Sequence, residues 1–561
     1  MEKKKNLHIA MFSVAMAIFF IIFLTLMYLS HLHLIFSKCD IIFFILSICS
    51  LFGFILSNFK TGKKNKNVDK KTKKKTIVLT AVLTFIYVAF IALSKYYYCY
   101  GIVDTEQIFY HTFVSSAGMD FSTVFAISIP SIILGAIFAV TLSFAFKAIR
   151  CADFYKTKTE KIIMRTSSIV AIISAILLLF DIFCTIPIAQ FIYYQNFTES
   201  NFITEQYVNP NNVEISFPEQ KRNLIYIYLE SIENTFADKE NGGAFKQNYM
   251  PEISELQKNN INFSNTNEIG GALPTYGMTY TTAGFFSQSF GLPLKVGENI
   301  SPMPDTILPN HSNIFDVLDE AGYSQHIVMG SDVDFGGLKE LFTSHGNTNI
   351  YDYRYMVDTG FIDKNYRVFW GVEDAKVYDL SKNKITEISQ TGEPFFFVME
   401  TVDTHNPNGY VCNKCKEEFG EQYANVVACA SHQLNAFIDW SKEQEWYDNT
   451  TIVVVGDHLS MKNDFFTGIS SKYQRTTLNI IINPDPSLEL SNVNFNNRQF
   501  SSADMFPTTL VAIGCQIEGD RLGLGTNLFS NKQTIFEEFG YDYVNEEFRK
   551  KTTFYKNVFE G

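Results

Sequence analysis

The sequence predicts a five-helix transmembrane bundle followed by an α/β domain whose mixed, largely parallel sheet is flanked by helices. Three observations predict it. Up to about Phe191 the chain is a succession of long apolar runs separated by short polar segments. Beyond about residue 220, short β-branched runs alternate with helical patterns, as in a sheet covered on both faces. Two of those runs stop abruptly on ligand-type residues, NLIYIYL on Glu230 and TIVVVG on Asp457 and His458, which is how parallel strands deliver side chains to the carboxyl edge of a sheet. At 561 residues the chain exceeds what one core supports. The expected division is a transmembrane domain over 1–191, a tether over 192–219 and an extracytoplasmic domain over 220–561.

Five runs approach the roughly 20 apolar residues needed to cross a bilayer: 9–29, 41–56, 77–93, 124–146 and 169–191. A cleaved signal peptide would also begin with Lys3, Lys4 and Lys5 before the first run, but no small-residue cleavage site follows and further spans come after. Lysine and arginine crowd the N-terminus, 60–75 and 147–165, while 30–40 and 94–121 are poor in them. Positive segments stay inside, so the N-terminus is inside and everything after the fifth crossing is outside. The lysine-rich 60–75 segment is accounted for by this orientation, and no nucleic-acid partner is expected.

The net charge is −12 although the inside loops are strongly positive, so the outer domain is more acidic than the whole. An acidic domain that handles an anionic substrate needs a local cation, which favours a bound metal over a broad basic groove. Of nine cysteines, five lie in or beside the spans, leaving Cys412, Cys415, Cys429 and Cys515 outside. Cys412 and Cys415 have a C-x-x-C spacing without a second ligand pair. The expectation is a local disulfide between Cys429 and one of them.

From 192 to 219 the sequence is polar and Asn-rich, with Pro210 and Pro218, and reads as a tether. Strands are then expected at 223–229, 324–328, 395–400, 451–455 and 479–482, and helices at 253–258, 314–321, 374–391, 423–443 and 505–513. A carboxylate directly after NLIYIYL is costly to bury without a partner. Asp457 and His458 follow TIVVVG in the same way and add oxygen and imidazole donors suited to a divalent metal. Between them, GMTYTTAG supplies threonines just ahead of a helical pattern, where backbone N–H groups and the helix dipole stabilise anionic oxygen. Metal coordination would turn such a threonine into a nucleophile.

The order and wording of NLIYIYLES, GMTYTTAGFFSQSFGLPL, PFFFVMETVDTHNPNGY, TIVVVGDHLSM and RLGLGTNLFS resemble the phosphoglycerol transferases and lipoteichoic acid synthases of bacterial envelopes, in the alkaline phosphatase and sulfatase superfamily. The resemblance covers the outer domain, and the five-span anchor is similar to that of the synthases. It implies Glu230, Asp457 and His458 as metal ligands and Thr281 as both ligand and nucleophile, with Thr275 the alternative. His405 in VDTHNP matches the histidine that meets the substrate phosphate and protonates a leaving alkoxide. His345 and Arg354 match a substrate-binding stretch, and Trp370 and Asp374 in FWGVED fit family wording for the same region. One divalent metal is implied, manganese first, with magnesium or zinc as alternatives. The implied donor is phosphatidylglycerol in the lipid bilayer, and the implied acceptor a glycan or teichoic-type polymer. The implied location is the bacterial cytoplasmic membrane, with several crossings and the catalytic domain outside. The same scaffold carries phosphoethanolamine transferases. The formylglycine motif of true sulfatases, Cys or Ser followed by x-Pro-x-Arg, is absent.

Overall fold

The computed structural model describes residues 188–295 and 307–555, with the helical residues 77–89 and scattered positions between 74 and 139. The expected spans at 9–29 and 41–56 lie outside the described residues, as do most of 124–146 and all but the last four residues of 169–191. Residues 77–89 are helical and expose Ile77, Val78, Leu79, Val82 and Phe85. Among the described residues no helix is long and apolar enough to cross a membrane. Contacts divide the chain into two units, Met1–Tyr98 with Phe121–Ala189, and Cys99–Asp120 with Gln190–Gly561.

The second unit is built on a six-stranded sheet. In chain order its strands are β1 (Asn223–Leu229), β2 (Ser324–Met329), β3 (Thr348–Tyr351), β4 (Phe395–Glu400), β5 (Thr450–Gly456) and β6 (Asn479–Ile482). Their spatial order is β3-β2-β4-β1-β5-β6, parallel throughout except for β6, which runs antiparallel to β5. Every residue of β1, β4 and β5 is buried, which is why these strands read as nearly unbroken apolar runs.

Alternate side chains of β1 enter two different cores. Leu224, Tyr226 and Tyr228 pack with Phe285, Phe286 and Phe290, whereas Ile225, Ile227 and Leu229 pack with Ile253, Tyr378 and Val427. The first core is covered by α2 (Thr281–Phe290), α3 (Ile314–Glu320) and α6 (Met505–Ala512), the second by α1 (Pro251–Asn259), α4 (Asp374–Ser389) and α5 (Gln422–Lys442). Each such apolar side chain contributes about 1.5–3 kcal/mol on burial. The sheet is therefore fixed from both faces, and its carboxyl edge is left for chemistry.

Two features differ from the sequence expectation. β3 falls inside the 345–354 block that the resemblance treats as substrate-binding. Its four residues, TNIY, mix polar and apolar side chains, none of them fully buried, and are too few for an alternation to register, yet Ile350 pairs with Ile327 of β2. The 192–219 segment is not a free tether. Phe202 and Ile203 are buried, Phe202 meets Phe539, Tyr543 and Phe548 edge to face, and Ile215–Ser216 pairs with Gln516–Ile517. The Asn-rich composition hides this because only a few apolar residues carry the docking. Residues 99–120 also group with this unit. Tyr110 is buried, donates to the Gly336 carbonyl at 2.7 Å and lies 5.3 Å, ring to ring, from Tyr280.

Candidate metal centre and active site

Strand register brings the first two acids together. Leu229 of β1 lies opposite Gly456 of β5, so Glu230 and Asp457 leave the same edge on neighbouring strands. Ser231 links them from a left-handed backbone at φ 55°, a conformation that costs a non-glycine residue about 1 kcal/mol. Its N–H donates to Asp457 Oδ1 at 2.8 Å and its hydroxyl to Glu230 Oε1 at 2.5 Å. The His458 N–H also donates to Asp457 Oδ1, at 2.7 Å. One oxygen of Asp457 is thus held by the backbone. The other, Oδ2, is buried without a hydrogen-bond partner and lies 3.4 Å from His458 Nε2.

The threonine comes from α2. Thr281 is its first residue, preceded by Tyr280 in an extended conformation without a side-chain cap. Thr281 Oγ1 donates to Glu230 Oε2 at 3.1 Å and lies 3.3 Å from His458 Nε2. The close approach of α2 depends on Gly284, where a Cβ would stand 2.4 Å from the Asp457 carbonyl oxygen. That proximity brings the uncapped first turn, with its partial positive charge, to the same place as the two carboxylates. Thr275, the alternative nucleophile, is fully buried and turns its hydroxyl to the Leu273 carbonyl at 3.1 Å.

The donor set fits a divalent metal. Glu230, Asp457 and His458 are buried, and one ligand atom from each falls within 4.8 Å of the others. His458 Nδ1 lies 2.8 Å from the Leu459 carbonyl, a contact that places the ring proton on Nδ1 and leaves the Nε2 lone pair facing the acids. Burial raises the Glu230 carboxyl, but His458 and His405 outweigh it and hold the group below its ordinary value. Asp457 is pushed well above the carboxylate range by burial and by Glu230 beside it. Two acids so close, one with an orphan oxygen, form a site whose charge calls for a cation.

His405 sits on the loop after β4. Its Nδ1 lies 2.8 Å from the Asn406 carbonyl, and Trp370 packs against it at 4.6 Å between ring centroids. Burial lowers its pKa, partly countered by Glu230. The loop is tied to the end of β1 by Thr404, whose hydroxyl donates to the Glu230 carbonyl at 2.5 Å, and by Thr401, which accepts from the Glu230 N–H at 3.1 Å. Thr401, Thr404 and Ser231 escaped sequence reasoning. Their signal was adjacency, since each lies within four residues of a residue already singled out.

The remaining sequence candidates are placed differently. Asp374 is fully buried at the start of α4, and its Oδ1 accepts from the N–H groups of Val402 and Asp403 at 2.6 and 3.0 Å. It therefore holds the His405 loop and presents no surface to a substrate. Burial raises it to about 7 despite those bonds, and raises its neighbours Asp403 to about 11 and Glu400 well above the carboxylate range. Asp403 and Glu400 therefore keep their protons at neutrality and add little negative charge around the centre, while Asp374 titrates close to it. Asp374→Ala would leave two buried N–H groups unpaired and is expected to cost about 2–4 kcal/mol in denaturant unfolding, whereas Asp374→Asn, which keeps the acceptor, should cost less than half as much.

His345 is also committed to the fold. Nδ1 meets Asp316 Oδ2 at 2.5 Å, Nε2 bonds the Ile307 carbonyl, and the residue is buried, so neither nitrogen is left for a ligand. The substrate contact expected of it gives way to a bracing role, because the 345–354 block was needed to build β3. Arg354 is half-exposed and pairs with Asp332 at 2.8 Å and Asp334 at 2.6 Å. Those aspartates begin the turn whose Gly336 carbonyl accepts from Thr282 at 2.9 Å, so Arg354 braces the loop beside α2.

The largely parallel sheet thus presents, at its carboxyl edge, a donor set that fits a divalent cation and a helix-opening threonine beside it, an arrangement suited to chemistry on phosphate or sulfate esters. The chain belongs to the sulfatase family, whose model matches residues 222–514, within the alkaline phosphatase superfamily. Phosphoglycerol transferase I of Escherichia coli O139:H28 is 32% identical over 334 residues, 58% of this chain and 41% of that protein. The match therefore spans about two fifths of the relative's length. Among solved structures, the lipoteichoic acid synthase LtaP from Listeria monocytogenes is similar at 18% identity and a TM-score of 0.44, covering 59% of this chain and 80% of that one. The lipooligosaccharide phosphoethanolamine transferase A from Neisseria meningitidis is similar at 12% identity and a TM-score of 0.48, covering 88% and 92%.

Proposed function

We propose that this protein transfers glycerol phosphate from phosphatidylglycerol to a hydroxyl of an envelope glycan or teichoic-type polymer, through a covalent intermediate on Thr281, and releases diacylglycerol. The observation that carries the reading is the placement of Thr281 Oγ1, 3.1 Å from Glu230 and 3.3 Å from His458 at the uncapped start of α2. A relative called phosphoglycerol transferase I, 32% identical over 334 residues, supports the choice of head group. The apolar runs before residue 191 support a lipid donor and a cytoplasmic-membrane location with the catalytic unit outside.

Glu230, Thr281, Asp457 and His458 would hold a single divalent metal, manganese by the resemblance, with magnesium and zinc the alternatives. Such an ion lowers the pKa of the threonine hydroxyl and offsets charge on the phosphoryl oxygens. In the first step the Thr281 hydroxyl gives up its proton to water and its Oγ1 attacks phosphorus, the bond to the diacylglycerol oxygen breaks, and His405 Nε2, protonated once the phosphodiester is bound, gives that oxygen a proton. Burial leaves the His405 ring neutral in the resting site, and the negative phosphodiester beside it raises its basicity enough to carry the proton. In the second step His405 takes the proton of the acceptor hydroxyl, which attacks phosphorus as the bond to Thr281 breaks. The α2 N–H groups face the charge that builds on the phosphoryl oxygens in both steps.

The test is incubation of the full chain, in phospholipid–detergent micelles, with phosphatidylglycerol labelled in its head group. Diacylglycerol should appear, and a peptide containing Thr281 should gain the mass of glycerol phosphate less water. A chelator should stop both, and added manganese should restore them. Turnover of phosphatidylethanolamine alone would replace this reading with phosphoethanolamine transfer.

A further inference from the structure

The expected disulfide at Cys412, Cys415 and Cys429 is not what the structure contains. All three are free thiols gathered at one point, with Cys412 Sγ 3.7 Å from Cys415 Sγ and 3.8 Å from Cys429 Sγ. Cys412 and Cys429 are buried and Cys415 is partly exposed, and the three sulfurs lie within 4.8 Å of one another. A disulfide would draw two sulfurs to about 2.05 Å and strand the third. Tetrahedral zinc with Zn–S bonds of about 2.3 Å instead sets neighbouring sulfurs about 3.75 Å apart. The two closest separations match that edge.

The surroundings of the sulfurs point the same way. The Lys414 N–H donates to Cys412 Sγ at 3.4 Å, inside a turn closed by the Cys415 N–H on the Cys412 carbonyl at 3.2 Å. The Gln433 side-chain amide, one turn beyond Cys429 on α5, donates to Cys429 Sγ at 3.4 Å and Cys412 Sγ at 3.9 Å. Donors aimed at sulfur neutralise thiolate charge, as the outer groups of metal–thiolate sites do.

From this geometry we infer that Cys412, Cys415 and Cys429 form a second metal site, separate from the Glu230–Asp457–His458 centre and selective for a thiophilic, tetrahedral divalent ion of the zinc type. Among the described residues the cluster has three members, and solvent reaches it on the Cys415 side, which leaves the fourth position to water. The site joins the loop that carries His405 to α5. Between His405 and Cys412 that loop is closed by Gly409 N–H on the His405 carbonyl at 3.0 Å and by Tyr410 N–H on the Asp403 carbonyl at 2.7 Å. A metal here is a clamp on the loop, placed close in the chain to the histidine it steadies.

Cobalt(II) distinguishes the two centres, because only thiolate ligands give an intense near-ultraviolet charge-transfer band. Full-length protein, purified in detergent without added reductant, would be stripped of metal and titrated with cobalt, alongside Asp457→Asn and Cys415→Ser variants. The thiolate band should saturate at one cobalt per chain in Asp457→Asn, and zinc should displace it. In Cys415→Ser, whose side chain is partly exposed and whose fold is checked by circular dichroism, the band should fall by at least a third and cobalt should bind at least tenfold more weakly. Absence of the band in Asp457→Asn would overturn the inference. So would a peptide map showing any two of the three cysteines joined as a disulfide in the purified protein.

Discussion

Thr281→Ala is expected to abolish head-group transfer, lowering the rate by at least about a thousandfold, or roughly 4 kcal/mol of transition-state stabilisation. The substitution removes the attacking oxygen and one of the four donors that surround the proposed metal. It should remove little else, since Thr281 is only partly buried at the first position of α2 and its hydroxyl is not used as a cap. Thermal unfolding of the variant should stay within a few degrees of the parent. Thr281→Ser supplies the control, because it keeps the oxygen and loses only the β-branch that restricts χ1, so a loss of about tenfold is expected. Diacylglycerol release and the Thr281 adduct should fall together in the alanine variant. Full activity of Thr281→Ala would remove this residue from the chemistry.

Asp457→Asn has the second large expected effect, and its sign depends on the metal. With metal present, activity should fall by about a hundredfold or more, because an anionic donor of the site becomes neutral. Without metal, the same change should stabilise the protein. The amide oxygen of the new side chain would keep the bonds from the Ser231 and His458 N–H groups, while its nitrogen would replace the orphan oxygen and face the Glu230 carboxylate. The pH dependence follows from the raised pKa of Asp457. The folded, metal-free protein binds that proton more tightly than the unfolded chain does. The contribution is complete below the unfolded pKa of an aspartate and is lost as pH rises through the raised value. Metal-free parent protein should therefore lose stability as pH climbs toward neutrality, and the variant should lose less. Metal loading has the opposite slope and weakens on acidification, since the ion competes with the same proton. Unfolding curves with and without chelator, at acid and neutral pH, measure both.

The legible part of the fold was the part with strong local pattern. β1, β4 and β5 are buried on both faces, and little but apolar, largely β-branched or aromatic residues tolerates that position, so their limits were recoverable to within a residue or so. Helices α3, α4, α5 and α6 were placed nearly as well, by periodicity and flanking polar residues. β3 was lost because an edge strand of four half-exposed residues carries no such pattern. The docking of 192–219 was lost because Phe202 and Ile203 are two apolar residues in an Asn-rich stretch.

In the site, the same division holds. Residue types and their order pointed to Glu230, Thr281, Asp457, His458 and His405, since acids and imidazole directly after buried strands are costly unless they are paired or bind a cation. Wording alone also proposed His345 and Asp374 as substrate contacts, and there the tertiary structure decides otherwise. Both are buried, with the ring nitrogens of one and a carboxylate oxygen of the other bonded to groups distant in the chain. Sequence spacing offered no choice between Thr275 and Thr281 beyond family wording, whereas α2 lets only the hydroxyl of Thr281 reach Glu230 and His458.

By itself, then, the sequence determined the α/β class of the second unit, five of its six strands in chain order and the residue types of one candidate site, because burial and periodicity are local demands that each segment must meet alone. Only the tertiary structure decided which acids share a strand edge, that Gly284 brings α2 against Asp457, and that three cysteines converge as thiols. Those are distances between segments separated in the chain, by 226 residues for Ser231 and Asp457, and they are set by strand register and helix packing, which no single segment encodes.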